Sequence, residues 1–215
     1  MAVDVKICGL KTPAAVSAAI DAGAFMIGFV FFAKSSRCLT PALAGALAQL
    51  APKHVTKVGL VVDADDATIA GILDDAKLDM LQLHGSETPA RVAEVRARFG
   101  LPVMKAVSIS EAEDIELART FEPVADRLLF DAKPPKSMPN ALPGGNALAF
   151  DWSLIAGQTF SRPWMLAGGL NAGNLLEAVK VTKARAVDVS SGVEDRPGEK
   201  NVNKIKEFLE IAKGL

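Results

Sequence analysis

Cys8 and Asp131 are the two side chains whose placement points to proton transfer. Each closes a short apolar run, Lys6-Ile7-Cys8-Gly9 and Phe130-Asp131-Ala132-Lys133. A cysteine ending a strand is by itself most often a small apolar filler. Here Lys6 lies two residues back, on the same strand face. Its cation would lower the thiol from a free pKa of about 8.5, and as a thiolate Cys8 would serve as general base toward a carbon acid. Asp131, in a position where aspartate is usually a turn residue, would serve as general acid across from it. Arg37, within Lys34-Ser35-Ser36-Arg37, suits a two-pronged grip on a carboxylate.

Two further runs end in small residues, Gly168-Gly169-Leu170-Asn171 and Ser190-Ser191-Gly192. Backbone N–H groups in such turns, with an adjoining helix start, can hold a phosphate. His84 and His54 have no second histidine or acid at ligand spacing, so no metal site is expected.

These residues are far apart in sequence, and only one arrangement of elements brings them together. Short apolar runs at 3–8, 26–31, 55–62, 80–83, 103–106, 128–131, 164–167 and 186–189 read as strands. Helical segments alternate with them. Thr12-Pro13, Thr40-Pro41 and Thr88-Pro89 each pair a capping threonine with a first-turn proline, and Gly23 and Gly100 stop the first and fourth helices. Further helices are expected at 66–76, 110–120, 151–156 (short), 171–182 and 200–212. Eight strand–helix units predict a (β/α)8 TIM barrel, a single domain over residues 1–215. The first strand ends without the glycine fingerprint of a doubly wound dinucleotide fold. In a barrel the C-terminal ends of all eight strands surround one mouth, and the loops after strands seven and eight commonly hold phosphate.

Strand alternation sets Lys6 and Cys8 opposite Val5 and Ile7, Gln82 and His84 opposite Leu81 and Leu83, and Asp188 and Ser190 opposite Val187 and Val189. The apolar sets must face the helices, so the polar sets point inward. A charge there needs a partner. Closure of strand eight on strand one pairs Lys6 with Asp188, and Lys105 is expected nearby in the same ionic layer. Residues 132–150 hold four prolines and two glycines with no helical or strand period, which suggests a lid.

Bulk properties narrow the partners. A formal net charge of −1, with acids and bases interleaved, gives no reason to expect nucleic acid or anionic lipid. No apolar run approaches the ~18 residues that span a bilayer. Two cysteines in 215 residues do not make a disulfide framework, and the expected setting is the cytoplasm.

Taken together, Val5-Lys6-Ile7-Cys8-Gly9-Leu10, Gly28-Phe29-Val30-Phe31, Leu81-Gln82-Leu83-His84-Gly85, Phe150-Asp151-Trp152 and Val187-Asp188-Val189-Ser190-Ser191-Gly192-Val193-Glu194 resemble the phosphoribosylanthranilate isomerases, in order and over essentially the whole chain. The resemblance implies a (β/α)8 barrel that performs an Amadori rearrangement in tryptophan biosynthesis. It implies Cys8 as general base, Asp131 as general acid, Arg37 on the anthranilate carboxylate, and Gly168, Gly169, Ser190, Ser191 and Gly192 around the phosphate. Lys6, His84, Lys105 and Asp188 would support them. The partner would be a small phosphosugar, with no cofactor, and the chain a monomer or else a homodimer. Another phosphosugar barrel enzyme, or a barrel that binds a phosphometabolite without turnover, is the competing reading.

Overall fold

Alternating apolar strands and proline-capped helices produce the expected closed sheet. The computed structural model describes residues 2–133, 144 and 149–215. Eight parallel strands close in sequence order: β1 (Asp4–Cys8), β2 (Met26–Val30), β3 (Thr56–Val61), β4 (Met80–Leu83), β5 (Val103–Ile109), β6 (Arg127–Ala132), β7 (Trp164–Leu166) and β8 (Ala186–Val189). Helices α1 (Pro13–Asp21), α2 (Pro41–Ala48), α3 (Asp66–Asp75), α4 (Pro89–Phe99), α5 (Ala112–Arg119), α6 (Leu175–Thr182) and α7 (Val202–Lys213) flank the strands. After β6 the expected short helix is one 3-10 turn, Trp152–Leu154. The expected lid falls mainly on 134–143 and 145–148, which lie outside the described residues.

The capping logic holds where it was read. Thr12, Thr40 and Thr88 accept hydrogen bonds from the N–H groups of Ala15, Leu43 and Arg91, and each is followed by a first-turn proline. Gly100 takes the left-handed conformation that ends α4. A 3-10 turn at Ser191–Val193 and the hairpin that follows it were not anticipated. A charged hairpin, β9 (Glu194–Arg196) and β10 (Glu199–Lys200), leaves the end of β8 before α7 begins.

The barrel's outer face carries the main core, where Ile7, Ile27, Leu81, Leu83, Phe130 and Val187 pack under helix residues such as Val16, Leu47 and Phe208. The interior is smaller. Met26, Met104 and Met165 with Val58 and Leu129 fill it toward the strand starts, and the unbranched thioethers suit that irregular space. Nearer the mouth Cys8, Val30 and Leu60 make a separate cluster.

Lys6 is fully buried inside this barrel, opposite Asp188 in the β1–β8 register, and its Nζ lies 2.9 Å from Asp188 Oδ1. Burial alone would push the Lys6 pKa down; Asp188, helped by Cys8, outweighs that and holds it above the ordinary lysine value. Lys105 does not join them. Its register partner is Leu83 rather than Gln82, so it points out under the helices. There Nζ meets Glu87 at 2.8 Å and donates to the carbonyls of Gly85 and Leu83 at 2.7 and 3.3 Å. The expectation of a shared layer is corrected by strand parity: a lysine on the outer face can be buried if a carboxylate reaches it from the βα loop.

Removing one partner of a buried ion pair leaves the other uncompensated, which typically costs about 3–5 kcal/mol. Asp188→Ala should therefore lower the urea midpoint by that amount of stability with an unchanged slope. The apolar pair Lys6→Met with Asp188→Leu should cost less than the single change. A midpoint unmoved by Asp188→Ala would show that the pair does not hold the barrel shut.

Candidate active site

The inward face of each strand delivers one or two polar groups to the mouth. From β1 comes Cys8, above Lys6; from β4, His84 just past the strand end; from β6, Asp131; from the segments after β7 and β8, Gly168-Gly169 and Ser190-Ser191. All of these, with Arg37 and Asp188, line one open pocket of ≈740 Å³ at the C-terminal ends of the strands. Cys8 and Asp131 therefore share a cavity although β7 and β8 separate their strands. Gly192 stands behind the pocket wall. It abuts the Leu170 carbonyl so closely that no side chain fits there, which lets the two small-residue turns touch.

Cys8 is nearly buried, and Gly28 on β2 makes room for it. A Cβ at Gly28 would lie 3.0 Å from the sulfur and 3.1 Å from Lys6 Nζ. The charge balance differs from expectation. Burial pushes the Cys8 thiol above its usual pKa, aided by Asp188; Lys6 and Lys200 pull the other way without overcoming it. The expectation that nearby cations would lower the Cys8 thiol is corrected in its net direction: Lys6 pulls it down, but desolvation of the anion is the larger effect.

Asp131 is hydrogen-bonded at one oxygen and faced by a histidine at the other. Oδ1 accepts the N–H of Ala132 at 2.8 Å, and Oδ2 lies 3.3 Å from His84 Nε2, without hydrogen-bond geometry. The Gln82 amide nitrogen sits 3.0 Å from His84 Nδ1. Gly144 covers Asp131 and His84: a Cβ there would come within 2.5 Å of Asp131 Oδ2 and 2.6 Å of His84 Nε2.

Arg37 reaches the pocket from the loop after β2 and is almost completely buried. Its Nε and Nη2 donate to the two oxygens of Glu194 on β9, each at 2.8 Å. Burial opposes both charges, yet the contact, with Lys200, keeps Glu194 below the usual carboxylate range. Lys200 on β10 donates to Glu194 Oε1 at 2.6 Å and to Ser190 O and Oγ at 2.9 and 3.1 Å. Burial pushes its pKa down to about 8, against the pull of Glu194.

The residue-by-residue reading missed Glu194, Lys200, Gly28 and Gly144 as parts of the site. Glu194 stood in the motif quoted above, but nothing local ties it to an arginine 157 positions away. Among the described residues no group of three His, Cys, Asp or Glu side chains is arranged to hold a metal ion, and no helix is long and apolar enough to cross a membrane.

This geometry can be set beside known proteins. A sequence model of the N-(5'phosphoribosyl)anthranilate (PRA) isomerase family matches residues 5–211. An N-(5'-phosphoribosyl)anthranilate isomerase of Parvibaculum lavamentivorans is 54% identical over 213 residues, covering 99% of each chain. The crystal structure of phosphoribosyl anthranilate isomerase from Thermotoga maritima superposes with a TM-score of 0.87 at 36% identity, over 99% of this chain and 100% of that one. A second isomerase structure, in complex with reduced 1-(o-carboxyphenylamino)-1-deoxyribulose 5-phosphate, gives 0.85 at 35% identity with the same coverage. A likeness that runs from the first strand into the last helix, over a barrel whose mouth gathers this thiol and this carboxylate, places the chain in the N-(5'-phosphoribosyl)anthranilate isomerase family.

Proposed function

We propose that this chain converts N-(5'-phosphoribosyl)anthranilate to 1-(2-carboxyphenylamino)-1-deoxyribulose 5-phosphate in tryptophan biosynthesis. The observation that carries the reading is the shared pocket of Cys8 and Asp131, flanked by the turns after β7 and β8. A structural relative binds the reduced form of that ketose phosphate.

In this reading Asp131 protonates the furanose ring oxygen, and the C1–O bond breaks as the nitrogen lone pair forms an iminium. The iminium acidifies the C2 proton, which Cys8 removes as thiolate; the electron pair moves into an enolamine, and proton return at C1 with loss of the O2 proton leaves the ketone. No net oxidation occurs, because the hydrogen taken from C2 is balanced at C1. His84 and the Ala132 N–H orient Asp131. The phosphate sits against the backbone of Gly168, Gly169, Ser190, Ser191 and Gly192; Gly168 and Gly169 both adopt positive φ, 84° and 61°, which glycine takes without steric cost. Arg37 meets the anthranilate carboxylate. The reading adds a monomer in the cytoplasm; sedimentation at dimer mass would remove that addition.

Cys8→Ala and Asp131→Asn should each cut turnover by ~10²-fold or more, as loss of a proton-transfer group does, with unchanged circular dichroism. Turnover is followed by the change in anthranilate fluorescence on rearrangement. Near-normal rates in Cys8→Ala would remove the base. Arg37→Ala should raise KM more than it lowers kcat, and an unchanged KM would sink the carboxylate role.

The buried thiol also has a pH signature. Because its pKa is raised, the thiolate fraction grows only as pH climbs past the ordinary thiol range. In a Cys38→Ser background, iodoacetamide labelling of Cys8 should reach half-maximal rate above the free-thiol value of about 8.5. Lys6→Met removes a cation that favours the thiolate, so the midpoint should move further up. A midpoint below the free value would mean that Lys6 outweighs burial.

A further inference from the structure

Glu194 has no part in the proton transfers, yet four donors hold it. Besides Arg37 Nε and Nη2 and the Lys200 ammonium, the Gly198 N–H reaches Oε2 at 3.2 Å. The surroundings are built to seat this contact. Gly9, at φ +79°, leaves open the space that the arginine stem fills: a Cβ there would lie 2.7 Å from Arg37 Cδ. Gly198, at φ +85°, lets the hairpin turn press on the Ser36 carbonyl, where a Cβ would come within 2.5 Å. The stem of Arg37 is thus bedded on the β1 loop while its head is gripped by the β9–β10 hairpin. Lys200 anchors the grip from behind through Ser190, whose hydroxyl donates in turn to the Cys8 carbonyl at 3.1 Å.

A guanidinium bound edge-on by a carboxylate has its plane fixed by the two parallel bonds. The charge count points the same way. Without Glu194, Arg37 and Lys200 would be two cations buried side by side, and their repulsion would turn the arginine head away.

We infer that Glu194 is a positioning residue for substrate binding: it sets the plane of Arg37 so that the guanidinium meets the substrate carboxylate, with Lys200 and Ser190 as its fixed support. This rests on the carboxylate role of Arg37 given under the proposed function. A merely structural Glu194 would lower stability and leave the balance of KM and kcat alone.

The test is a double-mutant cycle on the isomerase reaction. Glu194→Gln keeps the shape and one acceptor but loses the charge, and it should raise KM by about tenfold, the scale of a charge-assisted hydrogen bond, with kcat within about threefold. In an Arg37→Ala background the same change should move KM by less than about twofold, since the group it orients is gone. If Arg37→Ala raises KM and Glu194→Gln does not, or if the two effects multiply, the inference is overturned while the carboxylate reading stands. If Arg37→Ala leaves KM unchanged, both fall. Should Glu194→Gln fail to fold by thermal melting, Glu194→Asp serves: it keeps the charge but is one methylene too short to span Arg37 and Lys200. It should raise KM likewise, and an unchanged KM overturns the inference.

Discussion

Burial of a lysine inside a closed sheet is the constraint on which the rest of this molecule turns. Lys6 has no route to water, and an ammonium in that setting survives only beside an anion. Asp188 supplies it from the strand that meets β1 in the closure. The pair therefore does more than fill the interior, because it bridges the seam where the first and last strands meet in register. That register decides which residues of β1 and β8 arrive at the mouth together, and so where Cys8 and Ser190 stand relative to each other.

The same buried charge explains the character of the thiol. Cys8 lies between two opposed influences, a dry surrounding that disfavours the anion and cations that favour it. A thiol held above its usual pKa by burial is also protected, since a buried thiol is less open to oxidation and alkylation than an exposed thiolate. Gly28 contributes by omission: the space beside the sulfur exists because β2 offers no side chain there.

Much of this was legible in the sequence, and the reasons differ by element. Threonine–proline pairs announce helix starts because both act locally, one as acceptor and one by fixing φ. The inward set Lys6, Cys8, Gln82, His84 and Asp188 followed from period-two alternation. Lys105 shows where that logic fails. Polar identity suggested an inward face, but the ladder with β4 sets the parity, and Glu87 could rescue a lysine on the outer side. The β9–β10 hairpin was unreadable for another reason. Two short, charged strands bury no alternating apolar face, so their signal resembles that of a loop. The balance at Cys8 needed the degree of burial, which no spacing reports.

Long-range pairing also has a consequence for how the molecule comes into being. The partners of Lys6 and Arg37 lie 182 and 157 positions downstream. A chain emerging from the ribosome exposes both cations well before either carboxylate has been synthesised. The half-made barrel can assemble helices and neighbouring strands, which depend on nearby residues, but Lys6 and Arg37 lack their carboxylates until the eighth strand and the hairpin after it arrive. Those two ion pairs are thus completed only once β8 and the β9–β10 hairpin have been made, and a product terminated before them would carry Cys8, Arg37 and Asp131 without the carboxylates that seat Lys6 and Arg37.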